Sequence, residues 1–149
     1  MRPELMNPLA LAYLGDAIFE VYVREYLLVE KNITKPDLLQ KTAVKFVSAK
    51  AQAAFMKAAI VNDWVNEEEI RVYKRGRNAK NTRVMKNTSI VVHNQSSGFE
   101  ALIATLYLKK ETKRIEELFE LYKGFIEEDL SVNEGVKLWD NIFMEKILF

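Results

Sequence analysis

Asp16 is an acidic residue in an otherwise apolar stretch, which makes it the first candidate for chemistry. It lies in the segment Leu14-Gly15-Asp16-Ala17-Ile18-Phe19, with apolar neighbours on both sides. A carboxylate buried at such a place must be paired or bind a metal ion. An aspartate on the exposed edge of a helix, or one hydrogen-bonded locally, would explain the sequence equally well. Glu20, one helical turn later, is interpreted first as a surface residue.

Glu100 is the second acidic candidate. It follows Ser97 with the spacing of a capping box, in which both side chains bond backbone N–H groups at the first turn of a helix. In the other interpretation, the carboxylate comes directly after a basic segment and lies where a phosphate group would approach. His93 is the only imidazole, and a single histidine in a loop is more often incidental than catalytic. The chain has no glycine-rich phosphate loop, no serine-hydrolase motif and no pair of metal-spaced histidines.

The segment between Glu69 and Glu100 carries a concentration of positive charge. It contains no acidic residue and seven basic ones, namely Arg71, Lys74, Arg75, Arg77, Lys80, Arg83 and Lys86. Because the whole chain has a net charge of only +1, the remainder is net negative. Gly76 and the asparagines and serines that follow predict a basic loop over about 75–96. A loop of this length in a compact domain is usually functional.

The basic segment is typical of a surface that binds a polyanion. Clustered Lys and Arg bind the phosphates repeated along a nucleic acid, because each neutralised phosphate releases counterions. Gly76 and the asparagines would let the backbone come close to those phosphates. Apart from Tyr73 the segment offers no exposed aromatic residue for stacking, which favours recognition of duplex shape over single strands. The plainer alternative is a solvated loop that keeps the protein soluble.

Length and composition indicate one domain that spans residues 1–149. Hydrophobic residues make up 49% of the chain, which suffices for a core, and the net charge is too small to cause disorder. The absence of cysteine excludes disulfides and thiolate chemistry. No apolar run reaches the roughly 18 residues of a membrane span, and the N-terminus lacks the pattern of a signal peptide. We therefore expect a soluble, cytoplasmic protein with no membrane contact.

Apolar residues recur with helical spacing, which predicts an all-α fold. The five glycines and three prolines are too few for the turns of a β-sandwich or barrel. Asn66 and Glu69 have the spacing of a capping box at the start of one helix. The expected helices run from Pro8 to about Leu28, from Thr34–Asp37 to about Val44, from Ser48 to Val61, from Asn66 onward, from Ser96 or Ser97 to Leu108, from Thr112 onward and from Val136 to Phe149.

Five strings of residues follow one another along the chain. They are Leu9-Ala10-Leu11-Ala12-Tyr13-Leu14-Gly15-Asp16-Ala17, Val47-Ser48-Ala49-Lys50-Ala51-Gln52-Ala53, Lys74-Arg75-Gly76-Arg77-Asn78-Ala79-Lys80, Lys86-Asn87-Thr88 and Gly98-Phe99-Glu100-Ala101-Leu102-Ile103. Together they resemble the Mini-ribonuclease III family, the small stand-alone branch of the ribonuclease III nuclease domain. The resemblance covers nearly the whole chain. It implies an all-α endonuclease domain that lacks the separate double-stranded-RNA-binding domain of full-length relatives.

The resemblance also implies an activity and its partners. It implies a homodimer that cuts double-stranded RNA with Mg²⁺, or with Mn²⁺ as a substitute, and leaves 5′-phosphate and 3′-hydroxyl ends. In the small branch the expected substrate is the precursor of large-subunit (23S) ribosomal RNA, cut where its two ends pair, and a ribosomal protein is a further expected partner. Asp16 and Glu100 are then the expected catalytic and metal-binding residues.

The chain departs from the full-length relatives around the metal. Those relatives carry an acidic residue four positions before Asp16, where Ala12 stands here, and another three positions before Glu100, where Ser97 stands. A further one falls beside Asp37. The sparse set leaves the number of metal ions open, although Mg²⁺ can be held by one or two carboxylates together with water and substrate phosphate.

The basic residues would hold the RNA backbone beside the two acids. The expected RNA contacts are Arg75, Arg77, Asn78, Lys80 and Lys86, with Lys50 in addition. The dimer contact would form through the apolar first helix, where Gly15 allows close approach, or through the C-terminal Phe149. Two alternatives stay open: a protein that binds duplex RNA or the ribosome without cutting, and a helical interaction module whose basic loop docks an acidic protein.

Overall fold

The computed structural model describes residues 2–79 and 89–132, with side chains up to residue 128. Within these ranges the chain forms six α-helices and no strand, which confirms the predicted all-α class. The helices are α1 (Pro8–Glu25), α2 (Pro36–Val47), α3 (Ala49–Val61), α4 (Glu67–Arg77), α5 (Ile90–Leu108) and α6 (Thr112–Val132). A 3₁₀ turn, Pro3–Leu5, precedes α1, and a π-helical turn, Tyr26–Glu30, extends it. No helix in the described ranges is both long and apolar enough to cross a lipid bilayer.

Polar side chains begin four of these helices by accepting hydrogen bonds from backbone N–H groups. Asn7 does so at α1, Ser48 at α3 and Ser89 at α5. At α4, Asn66 and Glu69 form a reciprocal capping box. These bonds satisfy N–H groups that have no partner within the helix. The predicted helix starts at Ser48 and Asn66 are therefore confirmed.

The fifth helix begins at Ile90 and not at Ser96 or Ser97, as the sequence had predicted. The reason is Ser89, whose hydroxyl accepts the backbone N–H three residues later at 3.2 Å and so caps the helix. The predicted capping box between Ser97 and Glu100 is wrong. Both residues lie inside α5, where backbone N–H groups already bond to the preceding turn.

The loop predicted over 75–96 is wrong at both ends. Helix α4 continues through Arg77, because acidic residues in its first turn and basic residues in its last turn complement the helix dipole. At the other end, residues 90–96 belong to α5. Residues 80–88, the middle of the predicted loop, lie outside the described residues, as does the predicted helix Val136–Phe149.

An aromatic cluster in the core joins α1, α3, α5 and α6. Phe19 of α1 packs edge-on against Phe99 of α5, with ring centroids 5.0 Å apart. Tyr122 of α6 lies 4.7 Å from Phe19, and Phe55 of α3 lies 4.9 Å from Tyr122. All four rings are buried, and aromatic pairs at these distances stabilise a core beyond the area that they bury. The cluster therefore fixes the three helices that carry Asp16, Gln52 and Glu100.

A buried ion pair ties α4 to the start of α6. Glu69 accepts hydrogen bonds from Arg114 Nε at 2.7 Å and Nη2 at 2.9 Å, and Arg114 also donates to the Trp64 carbonyl at 2.7 Å. Burial by itself raises the pKa of Glu69. Hydrogen bonds from Arg114 and from the Asn66 backbone outweigh that effect and hold the pKa of Glu69 below its usual value. This ion pair fixes the N-terminal end of α4, whereas the basic residues lie at its C-terminal end.

Candidate active site

Asp16 and Glu100 lie on two helices whose backbones touch. Gly15 of α1 is buried against Glu100 of α5, and a Cβ atom on Gly15 would lie 1.8 Å from the Glu100 carbonyl oxygen. Real Cβ atoms essentially never approach another atom within 3.0 Å, so this contact requires glycine. The predicted close approach at Gly15 is confirmed. Its partner, however, is α5 of the same chain, so Gly15 is not free to contact a second subunit.

The carboxyl groups of Asp16 and Glu100 face each other. Asp16 is exposed, whereas Glu100 is half-buried. Burial, followed by the charge of Asp16 and a hydrogen bond between the two carboxyl groups, raises the pKa of Glu100 to about 9. At neutral pH Glu100 therefore keeps its proton.

No third metal-ligating side chain joins this pair within residues 2–79 and 89–128. Ala12 and Ser97, which lie one helical turn from the two acids, are buried. Glu20 pairs instead with Arg24 on the same helix, at 2.9 Å. Asp37 is exposed in the first turn of α2. The described part of the site thus offers two carboxylates.

Sequence reasoning missed a third polar side chain beside Glu100. Gln52 of α3 is 0% exposed, and its Oε1 accepts a hydrogen bond from the Ser96 hydroxyl at 2.5 Å. Its Nε2 is buried and makes no hydrogen bond of normal geometry in the described part of the chain. The amide nevertheless lies close enough to Glu100 to oppose the rise in the pKa of that carboxyl. One feature of the sequence could have indicated this residue. Gln52 lies among small apolar residues of the alanine-rich helix Ala49–Val61, and a residue on the buried face of a helix is usually apolar.

The donor set fits a divalent cation. Asp16 and Glu100 would supply two carboxylate ligands to such a cation. Mg²⁺ binds oxygen ligands, retains several waters and is often held by one or two carboxylates plus a substrate phosphate. Asp16 and Glu100 can therefore hold Mg²⁺ without a third acid.

The basic end of α4 is packed against α5 next to the two acids. A Cβ atom on Gly76 would lie 2.9 Å from the Gly98 Cα, and one on Gly98 would lie 2.6 Å from the Tyr73 carbonyl oxygen. Both glycines are therefore needed where the two helices touch. The prediction that Gly76 lets the backbone approach a phosphate is wrong, because this residue is buried in the contact between helices.

Three of the predicted RNA contacts lie at this end of α4. Arg75 is exposed and donates to the carbonyl of Met6. The Arg77 guanidinium lies 5.7 Å from the centroid of the Tyr73 ring, and its Nε donates to Asn78 Oδ1 at 3.1 Å. Asn78 itself is exposed. Arg75 and Asn78 are therefore exposed and Arg77 is half-buried, and both arginines are oriented by contacts within the fold.

The remaining predicted RNA contacts are divided between α3 and the undescribed segment. Lys50 is exposed in the first turn of α3. Lys80 and Lys86 lie outside the described residues. His93, which was expected in a loop, lies in the first turns of α5 and is half-buried.

Comparison with known proteins identifies the family. The model of the ribonuclease III domain matches residues 9–111. The chain is 43% identical over 130 residues to Mini-ribonuclease 3 of Clostridium tetani, covering 87% of this chain and 84% of that protein. It is 47% identical over 113 residues to Mini-ribonuclease 3 of Enterococcus faecalis, covering 76% and 85%. Its fold is similar to that of a solved protein from Fusobacterium nucleatum, with a TM-score of 0.69 and 30% identity over 77% of this chain and 91% of that one.

The matched range includes the contact between α1 and α5 and both of the acids that it brings together. Identity at this level over most of the chain favours a nuclease over the two alternatives of a non-cleaving binder and a helical interaction module. The chain belongs to the Mini-ribonuclease 3 family and is an endoribonuclease of the ribonuclease III type, acting on double-stranded RNA.

Proposed function

We propose that this endoribonuclease binds Mg²⁺ between Asp16 and Glu100 and cuts the duplex formed by the paired ends of the 23S ribosomal RNA precursor. The observation that carries the metal site is the pair of interacting carboxyl groups where α1 and α5 touch. Enzymes of the ribonuclease III family generally depend on Mg²⁺. Mn²⁺ should substitute, because it also suits carboxylate and water ligands.

The two acids have distinct tasks in this proposal. Mg²⁺, when bound, lowers the pKa of a water molecule and offsets negative charge on the scissile phosphate. Asp16 is exposed, so its carboxylate is accessible to RNA. Glu100 would lose its proton to solvent and serve as the second ligand. Hydrolysis at the 3′ oxygen then leaves 5′-phosphate and 3′-hydroxyl ends, and no histidine base is needed.

The basic residues offset the repulsion between the acids and the RNA backbone. We assign this role to Arg75, Arg77, Asn78, Lys80 and Lys86, with Lys50 in addition. Support comes from the contact between Gly76 and Gly98, since Gly98 lies two residues before Glu100 and brings the basic end of α4 close to the acids. Cations there would bind the phosphates on either side of the cleavage position.

A two-fold symmetric homodimer would present one site to each strand of an antiparallel duplex. Support comes from α1, where Tyr13, Ala17 and Val21 follow one another at helical spacing and are exposed, Tyr13 by 85% and Val21 by 61%. Apolar side chains exposed along one helical face are typical of an interface. Phe149, the other predicted contact, lies outside the described residues.

The proposed substrate also suggests a cellular location and a protein partner. Precursor ribosomal RNA folds together with ribosomal proteins in the bacterial cytoplasm, so we place the enzyme there and propose a ribosomal protein as its further partner. Adding purified ribosomal proteins to a cleavage reaction on precursor RNA tests this part. An unchanged rate and cleavage position would remove the ribosomal partner from the proposal.

The decisive experiment is cleavage of a long RNA duplex by Asp16→Asn with and without Mg²⁺, with the fragment ends sequenced. The variant should still bind the duplex and fail to cut it. Asp37→Asn, a change of the same type at an exposed position in α2, should cut normally. Cleavage by Asp16→Asn, or by the unaltered protein without divalent metal, would contradict the metal site.

Substrate choice needs a separate comparison. The paired ends of precursor 23S ribosomal RNA should be cut at one position, and faster than an unrelated RNA duplex of equal length. Single-stranded RNA and double-stranded DNA should compete weakly for binding. Equal rates on both duplexes would leave the nuclease intact and refute the proposed substrate.

A further inference from the structure

We propose that Gln52 is a positioning residue: when a divalent cation is bound, its side-chain amide donates a hydrogen bond to the Glu100 carboxylate and orients that carboxylate toward the cation. The inference rests on the proposed metal site at Asp16 and Glu100. It assigns a role to a residue of α3, the helix that contributes no acid to that site.

Ser96 sets the orientation of the Gln52 amide. The Ser96 hydroxyl donates to Gln52 Oε1 at 2.5 Å, and the two residues are buried, with 6% and 0% of their surface exposed. Because this bond holds the oxygen end of the amide, the direction of the Nε2 end is fixed as well. The amide is thus held in one orientation before any ligand binds.

The Nε2 group of Gln52 is a buried donor that makes no hydrogen bond of normal geometry within the described residues. A buried N–H group without a partner is costly, and folded proteins retain few of them. A carboxylate oxygen held against the amide in the cation-bound state would supply the missing partner.

Glu100 is the acceptor that fits. It lies one helical turn after Ser96, so both residues are on the side of α5 that faces Gln52. Its carboxyl group interacts with the Gln52 side chain as well as with Asp16. Both oxygens of a carboxylate accept hydrogen bonds, so the Gln52 amide can donate to one of them while the other binds the cation.

A purely structural role for Gln52 makes a different prediction. In that case the amide serves only to tie α3 to α5 through its bond with Ser96. Replacing it would lower the stability of the fold and leave the response to Mg²⁺ unchanged. The two roles are therefore separated by measuring metal dependence and stability in the same variant.

The test compares the full-length protein with Gln52→Met, which keeps the length of the side chain and removes the amide. The Mg²⁺ concentration that gives half of the metal-induced rise in melting temperature, measured without RNA, should increase about tenfold or more. The Mg²⁺ concentration for half-maximal cleavage should increase in parallel. The KM for duplex RNA at saturating Mg²⁺ should stay the same, because Gln52 is buried and does not reach the RNA.

Thr105→Val is the matched control. Like Gln52, Thr105 is buried and polar, but it lies on α5 and its hydroxyl donates to the Ala101 carbonyl of the same helix, at 2.7 Å. This variant should lose stability and keep the Mg²⁺ dependence of the unaltered protein. An unchanged Mg²⁺ dependence in folded Gln52→Met would overturn the inference.

A measurement on the unaltered protein covers the case in which Gln52→Met does not fold. Saturating Mg²⁺ should shift the side-chain amide resonances of Gln52 in the nuclear magnetic resonance spectrum and slow the exchange of its protons with water. Resonances that do not respond would also refute the role of Gln52. If Mg²⁺ fails to raise the melting temperature of the unaltered protein at all, the proposed metal site fails with it, which distinguishes the two failures.

Discussion

Gly15 lies so close to Glu100 that α1 and α5 touch through their backbones, with no side chain between them. The contact lies directly beside Asp16. A side chain at position 15 would clash with backbone atoms of α5, which cannot move aside as the end of a flexible side chain could. The distance between the two acids therefore depends on a residue that has no side chain.

Gly15→Ala should destabilise the protein strongly. The added methyl group would meet the Glu100 carbonyl oxygen, and separating the helices disturbs the aromatic cluster beneath them. We expect a loss of about 3 kcal/mol or more in the free energy of unfolding, at the upper end for overpacked cores. Urea denaturation followed by circular dichroism measures this.

Gly124→Ala is the control for that change. A Cβ atom on Gly124 of α6 meets nothing within 4 Å, so alanine should stabilise the helix by about 1 kcal/mol. Equal stabilities of Gly15→Ala and the unaltered protein would show that the two helices are not in the contact described.

Glu100→Gln should raise stability in the absence of divalent metal, and the gain should grow with pH. Below the ordinary pKa of 4.5 the carboxyl is protonated in both the folded and the unfolded chain. Between that value and about 9 the unfolded chain ionises while the folded protein holds its proton, so folding becomes less favourable as pH rises. Glutamine cannot ionise and avoids this loss. The variant should melt at least about 4 °C higher at pH 8 in the presence of EDTA.

The control for this pH dependence is Glu117→Gln, the same change at an exposed position in α6. Melting temperatures of both variants are measured from pH 5 to pH 9. A difference between Glu100→Gln and the unaltered protein that stays constant over this range would contradict the raised pKa of Glu100.

Glu69→Gln should lower stability at neutral pH and much less in acid. In the folded protein the pKa of Glu69 is below its usual value. The ionised carboxyl group therefore stabilises the fold at pH values above its pKa in the unfolded chain. This stabilisation is lost as the pH falls through its pKa in the folded protein. Since the carboxylate accepts two hydrogen bonds from Arg114, we expect a loss of about 1.5–3 kcal/mol at pH 7. Urea denaturation at pH 7 and pH 3 measures the difference, and an equal loss at both values would refute the assignment.

Arg77→Ala should weaken binding of duplex RNA and reduce its salt dependence. Removing one phosphate contact lowers the slope of log affinity against log salt by about 1, and the double change Lys80→Ala with Lys86→Ala should lower it by about 2. All of these changes are made in the Asp16→Asn variant, which should not cut the RNA, and the affinity for duplex RNA is measured from low to high salt. Lys113→Ala, a change at an exposed lysine of α6, serves as the control. A slope that does not change in Arg77→Ala would remove this residue from the interface.

The sequence predicted the fold class and several helix starts because these depend on local spacing. The capping box at Asn66 and Glu69 formed as predicted, whereas the same spacing at Ser97 and Glu100 did not. Two residues three positions apart also share one face inside a helix, so the pattern by itself does not distinguish a helix start from an interior. Here the earlier cap at Ser89 decides the outcome.

The parts of the site that the sequence did not predict depend on contacts between distant segments. The cost of glycine within a helix indicated a close approach at Gly15, but not that α5 was the partner. Gln52 was missed because a polar residue in an alanine-rich helix is usually exposed, and only the packing of α3 on α5 buries it. Asp16 and Glu100 were assigned from the family resemblance, and their roles in catalysis remain predictions until the variants above are measured.

The contact between Gly76 and Gly98 has a consequence for protein engineering. Neither helix can carry a Cβ atom at the point where they meet, so α4 and α5 depend on each other for this packing. Together they place the basic last turn of α4 close to Glu100. Transplanting the cationic end onto another helical scaffold would therefore require both helices together. A library that randomises these positions should return glycine at both.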